Sequence, residues 1–323
     1  MCRFLDGKEM TVQPECRRCF LRQTERALDM AGADPGVREQ VVGDVLAVLG
    51  TADMGKSPAH ATTLMHRRIR QRLGRDPFRE VKARSTRAAL ELYPRLRETV
   101  RSSPDPLSTA ARLAIAGNIM DFGLFSTVDV EGTIERALAA PLALDHGEML
   151  RERLLAAGRV LYLLDNAGEA VLDGLLMEEV LSLGKPVAAA AKGAPVINDC
   201  TLEDARESGL PEQVAVMENG SDGVGTILQS TSEEFRRAFQ EEGTLVISKG
   251  MANFETLLSE RRKDVFFLFQ SKCDVLSGVL EMPRGSMLLL CSEGPAPTGL
   301  VPGDQSLLPH HLRISKKGAM DPP

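Results

Sequence analysis

The chain has no apolar run near the roughly 20 residues that a membrane-spanning helix needs. Its first residues, Met1-Cys2-Arg3-Phe4-Leu5-Asp6-Gly7-Lys8-Glu9, lack the apolar core of a signal peptide. Both absences make the cytoplasm the expected compartment and remove a membrane from the expected partners. A basic excess is missing as well. Lys and Arg number 39 against 45 Asp and Glu, a net charge of −6, whereas proteins that bind nucleic-acid backbones carry a positive surplus. Cysteine is sparse, with six thiols scattered through 323 residues, which excludes a disulfide framework and points to reduced side chains. Cys16-x-x-Cys19 has metal-ligand spacing but no second Cys-x-x-Cys accompanies it, and only His60, His66, Cys200 and Cys273 offer completions. A second metal site, a redox pair and a buried thiol pair stay open as readings of Cys16 and Cys19. No internal repeat is visible.

What is present is enough to fold: 43% hydrophobic residues can fill a substantial core. Helical periodicity dominates from about residue 12 to 150, with amphipathic segments at 16–31, 35–49, 58–73, 77–92, 105–121 and 129–140. Asp76-Pro77 reads as a helix start, a capping carboxylate followed by proline at the first helical position. From 151 the pattern switches to alternating strands and helices, with strands expected near 158–164, 186–191, 213–217, 244–248, 264–269 and 286–291. Such alternation implies a mostly parallel sheet with helices on both faces. The expected fold is therefore α/β: a helical N-terminal domain over 10–150 packed on a three-layer α/β domain over 151–292. The remaining 293–323, rich in Gly and Pro, reads as a flexible tail.

Three strand ends carry the chemistry. The strand Val160-Leu161-Tyr162-Leu163-Leu164 runs into Asp165-Asn166-Ala167-Gly168-Glu169, placing a carboxylate and an amide oxygen where open α/β sheets bind ligands. Hard oxygen donors of this kind suit Mg²⁺ or Mn²⁺. After the second strand, Lys192-Gly193-Ala194-Pro195-Val196-Ile197-Asn198-Asp199 adds another carboxylate, Asp199. After the third, Ser248-Lys249-Gly250-Met251-Ala252-Asn253-Phe254-Glu255 adds a lysine and a glycine, which suit a phosphate. Taken singly, Asp165 or Asp199 is more often a helix cap, as Thr201-x-x-Asp204 also is, and Lys249 a solvated loop residue. Together at three strand ends they suggest a metal and an anion bound side by side.

These three segments, in this order, resemble the damage-control phosphatase family, formerly domain of unknown function 89. Cys16-Arg17-Arg18-Cys19, Gly74-Arg75-Asp76-Pro77-Phe78 with Lys82, and Ala116-Gly117-Asn118-Ile119-Met120-Asp121-Phe122-Gly123 resemble its prokaryotic branch, with an N-terminal Cys-x-x-Cys. The resemblance spans roughly 10–290 and implies a metal-dependent phosphatase acting on phosphate monoesters of small metabolites, such as sugar phosphates or damaged phosphometabolites. It implies Asp165, Asn166 and Asp199 as ligands of a divalent metal (Mg, Mn, Co or Ni). Asp165 and Lys249 become the expected catalytic pair, and Asn118, Asp121, Glu169, Ser248, Gly250 and Asn253 join Lys249 on the substrate side. Asn118 and Asp121, three apart on one helix, also fit a plain polar stripe or a helix C-terminal cap.

Two other classes compete. An S-adenosylmethionine-dependent carboxyl methyltransferase also uses an acidic, glycine-containing strand end, but Gly168 stands alone where a nucleotide cradle has several glycines. A non-catalytic metal- or metabolite-binding protein centred on the Cys pair would have no need of two carboxylates, an amide and a lysine at strand ends. The expected partner is a small phosphorylated metabolite; substrate and oligomeric state are not spelled in the sequence.

Overall fold

The computed structural model describes residues 4–119, 130–260, 262 and 264–295. Six helices come first: α1 (Cys16–Met30), α2 (Pro35–Thr51), α3 (Pro58–Leu73), α4 (Arg79–Arg101), α5 (Pro106–Ile119) and α6 (Val130–Ala139). Their starts follow local chemistry. Asp34 accepts a hydrogen bond from Val37 N at 3.0 Å with Pro35 opening α2, and Gly74 ends α3 at a left-handed φ of 66°. Asp76-Pro77 departs from expectation. The pair forms a turn ahead of α4, with Asp76 accepting from Phe78 N at 2.9 Å, and the helix starts only at Arg79. It also runs nine residues past the expected end at 92, straight through Pro94. Proline removes one ladder bond there, and the burial of Leu96 and Val100 outweighs that loss.

A seven-stranded sheet follows, built from β1 (Leu144–Asp145), β2 (Arg159–Leu163), β3 (Val187–Ala191), β4 (Ala215–Glu218), β5 (Thr244–Lys249), β6 (Val265–Gln270) and β7 (Met287–Cys291). The six strands expected from the sequence are present. The two-residue β1 is an addition, too short to leave a pattern. Strand order is β1-β7-β6-β5-β2-β3-β4. From β2 to β6 every pairing is parallel; β7 runs antiparallel to β6, and β1 lies parallel to β7 at the edge. The chain winds from β2 outward through β3 and β4, then returns to lay β5 on the other side of β2. A crevice therefore opens between the carboxyl ends of β2 and β5, the position where such sheets bind ligands.

Strand alternation sorts side chains onto two cores. Val160, Tyr162, Leu245, Ile247, Phe266 and Leu268 face one, with α8 (Ala167–Ser182); Leu161, Leu163, Val246, Phe267 and Phe269 face the other, with Phe235 of α10 (Glu233–Gln240) and Phe254 of α11 (Met251–Leu257). On the first side α4 and α5 pack over α8, so α8 is enclosed and every residue from Ala167 to Met177 is buried. A third core joins α1, α2 and α3 through Phe20, Val45 and Met65, with Phe78 from the turn before α4. The chain also forms α7 (Gly147–Ala156), α9 (Leu202–Glu207) and α12 (Asp274–Leu280). Of the expected tail, 296–323 lies outside the described residues, while Gly294 is tied in, its carbonyl accepting from Phe4 N at 3.1 Å. Among the described residues no helix is long and apolar enough to cross a membrane.

Candidate active site

Asp165 and Asn166 leave β2 at the crevice. Neither acts as an ordinary cap: Asn166 occupies the N-cap position of α8 without a side-chain capping bond, and α9 is capped by Thr201 with Asp204. The carboxylates are thereby free for other work. A short piece of extended chain is stitched beside them. Cys200 N donates to Asp165 O at 2.7 Å, Ala167 N to Asn198 O at 3.0 Å, and Asn166 and Asp199 pair as an isolated bridge. This brings Asp199, from beyond β3, next to Asn166.

Glu169, in the first turn of α8, is the hub. Asn118, near the end of α5, donates its amide to Glu169 Oε1 at 2.8 Å and to Asp165 Oδ2 at 3.0 Å. Asn166 Nδ2 donates to the same two carboxylates, at 3.1 Å to Asp165 Oδ2. Lys249, the last residue of β5, lies on the α8 face and is wholly enclosed. Its ammonium donates to Asp173 Oδ1 at 2.7 Å and Glu169 Oε2 at 3.3 Å, and Tyr162 OH donates to Asp173 Oδ1 at 2.9 Å. Gly250 follows with φ +80°, and a Cβ there would lie 2.0 Å from Asp165 Oδ2. The glycine is needed because the Asp165 carboxylate rests on its Cα. Gly168 serves packing instead: a Cβ there would lie 2.7 Å from Ser85 Cβ of α4.

Not every expected substrate-side residue faces the crevice in the same way. Asn253 is consumed in stitching, donating to Lys249 O at 2.8 Å and Leu164 O at 3.3 Å while accepting from Thr226 Oγ1 at 2.7 Å. Ser248 alternates to the face away from Lys249, and its buried hydroxyl has no hydrogen-bond partner. Asp121 lies outside the described residues.

Three residues that the sequence reading did not single out join the site. Asp173, four residues after Glu169 and set in the apolar stretch from Ala170 to Met177, is fully buried against Lys249; an acid in such a stretch was the available signal. Lys192 stands 3.4 Å from Asp199 Oδ2 and donates to Gly225 O. Lys272, just past β6, is exposed and donates to Asn118 O at the end of α5. It marks a fourth strand end in the Ser271-Lys272-Cys273 segment.

The electrostatics are unbalanced. Four carboxylates (Asp165, Glu169, Asp173 and Asp199) are buried with two ammonium groups, Lys192 and Lys249. Burial, together with Glu169 and Asp199, pushes the Asp165 carboxyl well above the usual range. Burial likewise raises Asp173 to about 6 against the pull of Lys249, and Asp199 to about 6 against that of Lys192. For Lys249 burial acts downward, but Asp173 and Glu169 outweigh it and the net shift is upward. Even with Lys272 acting on Asp165, the carboxylates of the site outnumber its ammonium groups, and a divalent cation would offset that excess. The donor set fits it: Asp199 Oδ2 is buried without a hydrogen bond, and the bonds that Asp165 accepts from Asn118 and Asn166 both fall on its Oδ2. Two carboxylates and an amide suit a hard cation.

Among the described residues no three His, Cys, Asp or Glu side chains converge as a metal centre. That also bears on the Cys pair. Cys16 and Cys19 open α1, with sulfurs accepting from Gln13 N at 3.4 Å and Gln23 Nε2 at 3.2 Å, and burial pushes the Cys16 thiol up.

Comparison with known proteins bears on the family and the fold. The family model of the damage-control phosphatase ARMT1-like domain matches residues 12–288. A protein named damage-control phosphatase from Archaeoglobus fulgidus is 33% identical over 288 residues, covering 86% of this chain and 98% of its own length. Another of that name from Pyrococcus horikoshii is 33% identical over 287 residues, 87% of this chain and 98% of the relative. An uncharacterised protein of Methanocaldococcus jannaschii is 32% identical over 296 residues, 88% and 96% of the two chains. The crystal structure of a DUF89 family protein from Pyrococcus horikoshii superposes with a TM-score of 0.80 at 32% identity, covering 88% of this chain and 100% of that one.

Proposed function

The chain belongs to the damage-control phosphatase ARMT1-like domain family, and from that premise we propose that it is a divalent-metal-dependent phosphatase acting on phosphate monoesters of small metabolites. The observation that carries the reading is the set of buried carboxylates at the β2–β5 crevice, short of positive charge and holding oxygens that no donor satisfies. Asp165, Asn166 and Asp199 would hold the cation. When bound, it would supply Lewis-acid polarisation of a phosphoryl oxygen and charge neutralisation.

The remaining work falls to the chain's own side chains. Phosphate ester hydrolysis is slow because anionic oxygens repel the nucleophile, so a catalyst mainly positions groups and offsets charge. Lys249 is enclosed and committed to Asp173 and Glu169, which suits a fixed counter-charge that keeps the acidic cluster assembled. Among the described residues Lys272 is the exposed cation at the site and the one suited to meet a phosphate oxygen directly. Asn118 links the two sides, since it orients Asp165 and Glu169 while its Oδ1 accepts from Gln270 N at 3.3 Å. A methyltransferase reading gains nothing from Gly168, whose missing side chain makes room for α4, not for a nucleotide.

Assay against a panel of phosphorylated metabolites with Mg²⁺, Mn²⁺, Co²⁺ or Ni²⁺ tests the reading. Phosphate release should vanish on chelation and return with the cation. Release undiminished in thoroughly chelated protein, or none with any cation across sugar phosphates and related monoesters, would overturn it. In the same assay Lys272→Ala should raise KM and lower kcat, reducing kcat/KM by about 100-fold, or ~2.7 kcal/mol. Unchanged kinetics would remove Lys272 from the phosphate side.

A further inference from the structure

Asp199 has little side-chain support: its buried Oδ2 makes no hydrogen bond and has only the Lys192 ammonium, 3.4 Å away, beside it, so its place depends largely on its backbone. The stretch that carries it is strained on entry. Ile197, a β-branched residue, has φ 45°, a left-handed conformation that is costly for such a side chain and persists only where its surroundings enforce it. Something must therefore grip this segment on both sides, and in each case the grip comes from a helix of the first hundred residues.

Upstream, α3 holds the segment. Arg70 donates to Pro195 O and pairs with Asp222 Oδ2 at 2.7 Å, and Val196 packs on Ala59. Downstream, α4 holds it through Lys82, whose side chain is only 4% exposed. The Lys82 ammonium lies 2.8 Å from Asp204 Oδ2 and 3.2 Å from Asp76 Oδ2. Asp204 Oδ2 also accepts from Thr201 N at 2.9 Å and from the Thr201 hydroxyl, closing the capping box of α9. Thr201 in turn bridges to Lys192, and Lys192 N donates to Cys200 O at 2.8 Å. A continuous chain of contacts thus runs from Lys82 to the residues immediately after Asp199.

Burying an ammonium costs free energy that an apolar side chain at the same place on α4 would avoid. What the lysine provides in return is a fixed anchor for Asp204. We propose that Lys82 is a positioning residue for the metal site: it holds the Thr201–Asp204 turn so that Asp199 meets Asn166 at the crevice. The proposal rests on the reading of Asp199 as a metal ligand. It also gives a role to the Asp76-Pro77-Phe78 turn, whose carboxylate is the second partner of Lys82.

The test compares the full-length wild type with Lys82→Met, Asp204→Asn, Asp199→Ala and Lys82→Met/Asp199→Ala. Mn²⁺ binding is measured without substrate, by loss of the free-ion paramagnetic resonance signal, and kcat and KM are then measured at saturating Mn²⁺. Lys82→Met should weaken Mn²⁺ binding by about 10–100-fold, as loss of groups supporting a ligand does, and lower kcat with KM for the phosphate ester little changed. In the Asp199→Ala background it should add nothing, because a positioning residue acts only through what it positions. Asp204→Asn keeps the shape of the turn and carries the comparison if Lys82→Met does not fold. Wild-type Mn²⁺ affinity in the variants, or losses from Lys82→Met and Asp199→Ala that add, would overturn the proposal while leaving the phosphatase reading in place. A wild type that neither binds Mn²⁺ nor releases phosphate would overturn both.

Discussion

Asp165→Asn should lose about three orders of magnitude in metal-dependent phosphate release, or ~4 kcal/mol of transition-state stabilisation, because it removes a charged ligand from the proposed cation. The same substitution should stabilise the metal-free fold at neutral pH. Burial and neighbouring carboxylates hold the folded-state pKa of Asp165 well above the ordinary range. Below the unfolded-state pKa, near 4, both states are protonated and the group costs nothing; as pH rises past it the folded protein bears the ionisation penalty, in full above the folded pKa. Asparagine escapes that penalty, and its carbonyl can still accept from Asn118 and Asn166. In chelator the variant should therefore melt above the wild type at pH 8, with the gap closing toward pH 4. Scanning calorimetry at both pH values checks this. A variant that melts below the wild type at pH 8, or that retains activity, would remove Asp165 from its assigned role.

Lys249→Met should produce the largest loss of stability in the molecule. The ammonium is wholly enclosed between Asp173 and Glu169, and removing one partner of a buried ion pair costs about 3–5 kcal/mol because the other charge is left uncompensated. In a chain of this size that corresponds to a melting point lower by roughly 10 °C. Adding Asp173→Asn should restore part of it, since the amide oxygen would still accept from Tyr162 OH without bringing a charge. Activity should stay low in the double variant because Glu169 keeps no counter-ion. Urea denaturation of the three proteins measures these differences. A near-neutral effect of Lys249→Met on stability, joined to a large rise in KM, would place this lysine on the substrate instead.

Much of the architecture was legible because hydrophobic periodicity is a local signal. The six helices of the first 140 residues and six of the seven strands lie where their patterns put them. The misreadings came where distant packing overrode local chemistry, as when α4 passed through Pro94 to bury Leu96 and Val100. The site shows the same division. Asp165, Asn166, Asp199 and Lys249 sit at strand ends and could be named from residue type and position. Lys272 also follows a strand, but no glycine follows it as Gly250 follows Lys249, and little distinguishes it from a surface lysine. Asp173 lies inside a helix, and its partner Lys249 is 76 residues away. That Lys249 is buried and not open to solvent depends on α8 being covered by α4 and α5, which no local pattern announces.

The wide spacing of the site along the chain also sets when it comes into being. Asn118 is joined to Asp165 across 47 residues and to Gln270 N across 152, while Glu169 and Lys249 are 80 apart. A chain emerging from the ribosome completes β2 and α8 long before β5 exists to deliver the lysine that balances their acids. Until then, the acidic residues of α8 have every reason to remain in water or to pick up protons, and the helix cannot be fully enclosed. Closure of the sheet around β2 is thus an event late in synthesis, governed by contacts of high sequence separation. Assembly of the site is delayed with it: a half-made chain carries the acidic groups of α8 but not the pocket that gathers them with Lys249.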